Sequence, residues 1–131
     1  LMLQQEKPDD FVIASGRMET VRNFIELSAK KLNWGTSYKP PIIWEGTGLD
    51  EVGIRSDTNK VVVKIDKRYF RPTEVEQLLG DSSKAFKKLG WKPSITLEKL
   101  VEDMVNNDMA EAKKEALLKK RGFEMSSPSG I

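Results

Sequence analysis

Glycine and proline interrupt this chain at short intervals as far as Pro93, and neither recurs until Gly122. Proline removes a backbone donor and glycine is costly inside regular elements, so only short strands and short helices fit the first part. The run after Pro93 has room for one long helix. Leu1–Glu6 resembles the end of a helix, stopped by Pro8. Asp10–Ala14 is a compact apolar run without alternation, which predicts a buried strand parallel to a neighbour, ended by Ser15-Gly16. Thr20 is placed to cap a helix. Val21, Phe24, Ile25, Ser28, Ala29 and Leu32 would form its core face. A strand, a glycine turn and a helix in that order make an α/β unit.

Residues 33–41 read as a loop, Ile42–Glu45 as a short strand, Gly46-Thr47-Gly48 as a turn, and 55–60 as a polar, mobile connection. Lys60–Asp66 is β-branched and predicts a strand with Val61, Val63 and Ile65 on one face. Thr73–Leu79 predicts a helix stopped by Gly80. Ser82–Leu89 predicts another, with Asp81 as its cap and Gly90 just past its end. The last helix starts at Thr96, with Ile95 and Leu100 as a hydrophobic staple. Leu97, Leu100, Val101, Met104 and Val105 form its apolar stripe, which fades beyond Asn106. Residues 123–131 read as a disordered tail.

The charge balance, 22 Lys+Arg against 20 Asp+Glu in 131 residues, gives no concentrated basic face for nucleic acid or an anionic membrane. The chain has no Cys and no His. That excludes disulfides, thiol nucleophiles, imidazole acid–base catalysis and the usual zinc sites. Absence of Cys fits a reducing cytosol, and the expected location is cytoplasmic. The first residue is Leu1, not Met, and the expectation is a piece of a longer protein.

Arg71 and Glu74 are the candidate substrate-binding residues. A guanidinium presents a planar fork of donors that matches two phosphate oxygens. A carboxylate three residues on accepts hydrogen bonds and suits the vicinal hydroxyls of a ribose. Pro72 sets the chain direction, and the start of the next helix adds free N–H groups. The same pair could instead be an ion pair at a helix start, with no ligand. Gly46-Thr47-Gly48 lacks the spacing and the lysine of a phosphate loop, and a plain turn is the simpler reading. Neither a Gly-x-Gly-x-x-Gly fingerprint nor a Tyr-x-x-x-Lys pair occurs. Trp34, Trp44 and Trp91 read as packing residues before base platforms. The Lys113, Lys114, Lys119, Lys120 group reads as a solvated helix face.

From Asp66 onward the pieces DKRYFRPTEVE, LGD and KLGWKP, with MLQQEKPDDFVIA and WEGTG upstream, resemble the C-terminal part of the GDP-mannose 4,6-dehydratases. These belong to the extended short-chain dehydrogenase/reductases. The resemblance implies an α/β fold: the substrate-binding portion of such an enzyme, short strands plus several helices, without the complete Rossmann domain. It places 1–32 beside the missing Rossmann half and makes 33–122 the substrate-binding region.

It also implies an NADP-dependent lyase that converts GDP-mannose to GDP-4-dehydro-6-deoxy-mannose, a GDP-fucose precursor, in a homo-oligomer. The family's catalytic and cofactor-binding residues have no counterpart here, so no catalytic, cofactor or metal residue is expected in this chain. Arg71 matches the arginine on the nucleotide diphosphate, and Glu74 the acid near the nucleotide ribose. The isolated chain is expected to be inactive and to expose apolar faces that make it marginally stable or self-associating. The alternative is a stand-alone nucleotide-sugar-binding or protein-interaction module.

Overall fold

The structure is a computed structural model and describes residues 1–71 and 78–123. Those described residues form a small α/β arrangement of three α-helices and one three-stranded antiparallel sheet. The helices are α1 (Val21–Lys31), α2 (Ser83–Leu89) and α3 (Leu97–Lys120). The strands are β1 (Ile42–Glu45), β2 (Val52–Arg55) and β3 (Lys60–Lys64).

The helix boundaries reflect local chemistry. Thr20 caps α1 by accepting from the Asn23 N–H at 3.0 Å, and Thr96 caps α3 by accepting from the Lys99 N–H at 3.2 Å. Each cap satisfies a donor that would otherwise lack an intrahelical partner. The cap position of α2 is Ser82 and not Asp81 as expected, but Asp81 still serves the helix start, accepting from the Ser83 N–H at 2.9 Å and the Ser83 hydroxyl at 2.5 Å. Gly90 ends α2 in the left-handed conformation, φ 65°. Helix α3 runs on to Lys120, past the point where its apolar stripe fades. It has no glycine or proline to stop it, and basic residues at its C-terminal end suit the helix dipole.

The sheet is a meander in the order β1–β2–β3. Trp44 pairs with Gly53, and Gly53 with Val63. β2 was not expected from the sequence, because Gly53 weakens its strand pattern. Packing explains the glycine. A Cβ there would sit 3.0 Å from Trp44 Cζ3 and 3.0 Å from Val63 Cβ. Next to it the ladder shifts: Gly53 opposes Val63, but Ile54 opposes Val61. The extra residue, Val62, makes a bulge. Directly opposed residues share a face, so Val61 and Val63 lie on opposite faces and not on one.

Helix α1 covers the face that carries Trp44. The Trp44 indole N–H donates to Glu26 at 2.8 Å, and the Arg22 guanidinium lies 4.7 Å from the Trp44 ring centroid. Arg55 stacks on Trp34 in the same way at 4.5 Å. Helix α3 lies against α1, bridged by Lys31–Glu102 at 2.7 Å. Ala29, Ile42, Ala85 and Val101 are the fully buried apolar side chains among the described residues. Val21, expected on the core face of α1, is 76% exposed, while Arg22 beside it turns toward the sheet and lies over Trp44.

The N-terminal segment departs most from expectation. Residues 10–14 form no strand, and Met2–Gln4 is a single 3-10 turn. A strand needs a ladder partner, and the described residues offer none there. Val12 and Ile13 are each 53% exposed. The segment is held by Asp9, which bonds Lys84 and Lys88 of α2, and by close approach to Gly80, where a Cβ would fall 2.5 Å from Ala14 Cβ. The helix expected over Thr73–Leu79 lies outside the described residues except for Leu78 and Leu79, which are irregular. The tail beyond Phe123 lies outside them too.

Candidate functional site

β3 ends at Lys64 and delivers the chain to Asp66, whose carboxylate organises the next turn. It accepts from the Arg68 N–H at 2.9 Å, closing an Asx turn over Lys67–Tyr69. It also takes the Arg68 guanidinium, through Nη2 at 2.6 Å and Nε at 3.1 Å. These side-chain bonds, with the backbone bond second to them, hold the Asp66 carboxyl below the usual carboxylate range. The same side-chain bonds raise Arg68 above its ordinary value. The Arg68 guanidinium sits 5.5 Å from the Tyr69 ring centroid. Tyr69 and Phe70 are exposed, and the chain leaves the turn at Arg71, also exposed.

This geometry separates two arginines that look alike in the sequence. Arg68 is committed to Asp66. Arg71 has no ion-pair partner among the described residues. The second expected substrate residue, Glu74, lies outside the described residues, as does Pro72. The sequence reading missed the Asp66–Arg68 clamp. Its signal was present, an aspartate two residues before a backbone N–H at a strand end.

The other candidates resolve as structure. Gly46 has φ 83°, and the space a Cβ would take is filled by the Asp50 carbonyl oxygen at 2.5 Å. The turn itself therefore requires the glycine. Trp34 and Trp44 are only partly exposed, and the Trp44 N–H is already paired. Trp91 lines a 550 Å³ apolar hollow with Leu1, Leu3, Ile13 and Leu89. Arg22, which covers Trp44, is ion-paired to Glu51. Among the described residues no cluster of acidic side chains suits a metal ion, and no helix is long and apolar enough to cross a membrane.

Comparison with known proteins agrees with the local motifs. A family model described as GDP-mannose 4,6 dehydratase matches residues 1–104. A GDP-mannose 4,6-dehydratase of Yersinia enterocolitica is 45% identical over 136 residues, covering 96% of this chain and 35% of the relative. The human GDP-mannose 4,6 dehydratase is 47% identical over 109 residues, covering 83% of this chain and 28% of the relative. GDP-mannose 4,6 dehydratase 2 of Caenorhabditis elegans is 48% identical over 109 residues, covering 83% and 27%. The chain thus spans about a third or less of the length of these curated relatives, 35% at most among the three. With the Asp66–Arg71 turn inside the matched span, the chain belongs to the GDP-mannose 4,6-dehydratase family.

Proposed function

We propose that this chain is the substrate-gripping, C-terminal portion of a GDP-mannose 4,6-dehydratase, an enzyme of the extended short-chain dehydrogenase/reductase type. Its ligand is GDP-mannose or a related GDP-sugar. Arg71 takes the diphosphate and Glu74 the ribose hydroxyls. The observation that carries this is the Asp66 clamp, which occupies Arg68 and leaves Arg71 exposed at the end of a fixed turn. A guanidinium presents a fork of donors that matches a phosphate pair.

The residues present do not suit NADP. The glycine fingerprint of a dinucleotide site is absent from the sequence, and among the described residues the sheet is an antiparallel meander with no parallel crossover. No hydride or elimination step is assigned to this chain. The cofactor and the catalytic residues belong to an N-terminal Rossmann half, with residues 1–32 packed beside it, in a cytoplasmic homo-oligomer. Exposed Val12 and Ile13 support that placement of the N-terminal segment.

The test is calorimetric titration of the chain with GDP. Arg71→Ala should weaken binding roughly tenfold or more, as expected for loss of a charge-assisted bond. Unchanged affinity overturns the reading. Incubated with NADP and GDP-mannose, the chain alone should show no dehydratase turnover.

A further inference from the structure

We propose that Tyr69 is the nucleobase platform of this site, receiving the purine of a nucleoside diphosphate on its open face. The inference rests on the reading of Arg71 as the diphosphate residue. Tyr69 is 73% exposed and lies two residues before Arg71. One face of its ring is taken by the Arg68 guanidinium, 5.5 Å from the centroid. That guanidinium is itself fixed by Asp66, at 2.6 Å through Nη2. The ring thus carries a cation beside it and is otherwise largely exposed.

Such a ring is a stacking surface. Bases stack on aromatic side chains through their π faces, and an arginine on the far side adds to the attraction. Phe70 is also exposed, at 50%, but among the described residues no cation stacks on its ring. The tryptophans are poorer platforms, since Trp34 and Trp44 are only partly exposed and Trp91 lines the hollow beside Leu89. Tyr69 and Arg71 together place a base-stacking group and a phosphate-binding group on one short stretch after β3. A nucleoside diphosphate presents that same pair of chemistries.

The experiment titrates the 131-residue chain with two probes, GDP and inorganic pyrophosphate. Tyr69→Ala should weaken GDP binding roughly tenfold and leave pyrophosphate binding unchanged. Tyr69→Phe, which keeps the ring, should retain GDP affinity. Phe70→Ala should show no selective loss of GDP. Equal loss of both probes in Tyr69→Ala would mean that Tyr69 only supports the turn, and it overturns the proposal. So does unchanged GDP affinity. Arg71→Ala separates the two layers. It should weaken both probes, and if pyrophosphate binding survives it intact, the diphosphate reading fails whatever Tyr69 does.

Discussion

The indole N–H of Trp44 donates to the Glu26 carboxylate at 2.8 Å, joining the first strand to the first helix. Both side chains are half-buried, so the bond is partly shielded from water. Arg22, one turn earlier on α1, closes over the Trp44 ring. The site-bearing sheet is thus tied to α1 through one aromatic residue. Glu26→Ala and Trp44→Phe should each lower unfolding free energy by about 1–2 kcal/mol in urea, the range for a hydrogen bond to a charged group at a partly exposed position. The double variant should lose less than the sum of the two. Strict additivity would show that the bond contributes nothing.

Gly46 is required by its backbone. At φ 83° a side chain is strained, and a Cβ would overlap the Asp50 carbonyl oxygen at 2.5 Å. Gly46→Ala should destabilise by at least about 1–2 kcal/mol from the left-handed conformation alone, with the overlap adding to it. Gly48 is the control. Its φ is 58°, with nothing within 4 Å of the added carbon. Gly48→Ala should therefore cost less than Gly46→Ala in the same thermal melt. Equal shifts in Tm would remove the steric part of the argument.

Asp9 carries a pH dependence. Lys84 Nζ donates to it at 2.5 Å and Lys88 Nζ at 2.8 Å, clamping the N-terminal segment to α2. The two bonds, Lys84 first, hold the Asp9 carboxyl well below the usual carboxylate range. A depressed folded value means the contribution is complete above the unfolded value, about 3.9, and is lost as pH falls toward the folded one. Backbone order over residues 10–14, read by NMR relaxation, should therefore stay constant from neutral pH down to the unfolded value and fall below it. Asp9→Asn should show the lowered order already at neutral pH. If the variant and the parent have the same order at pH 7, the clamp does not hold the segment.

The helix ends were legible because each is decided within a few residues. Thr20, Thr96 and Gly90 act on their own backbone, and the structure places all three at the boundaries their chemistry implies. Arg71, expected beside a strand end, lies beyond the turn that follows β3, and its role in a site stays a proposal. Glu74, its expected companion, lies outside the described residues. The Asp66–Arg68 clamp was written in the sequence, but two arginines three residues apart do not announce which one is occupied.

Pairing over distance remained hidden. The pattern alone set α1, α2 and α3 in order, the strand at 42–45, a strand from Lys60 that it carried to Asp66 where the structure ends it at Lys64, and the family motifs, because caps, β-branched runs and turn residues act locally. Tertiary structure decided that Val52–Arg55 is the middle strand, since Gly53 is an asset only when Trp44 and Val63 crowd it from both sides. It decided the bulge that turns Val61 away from Val63. It also left the apolar run 10–14 without a ladder. That run has the composition of a strand, but a strand is a relation between two segments, and the described residues supply no neighbour to pair with backbone donors that solvent can reach.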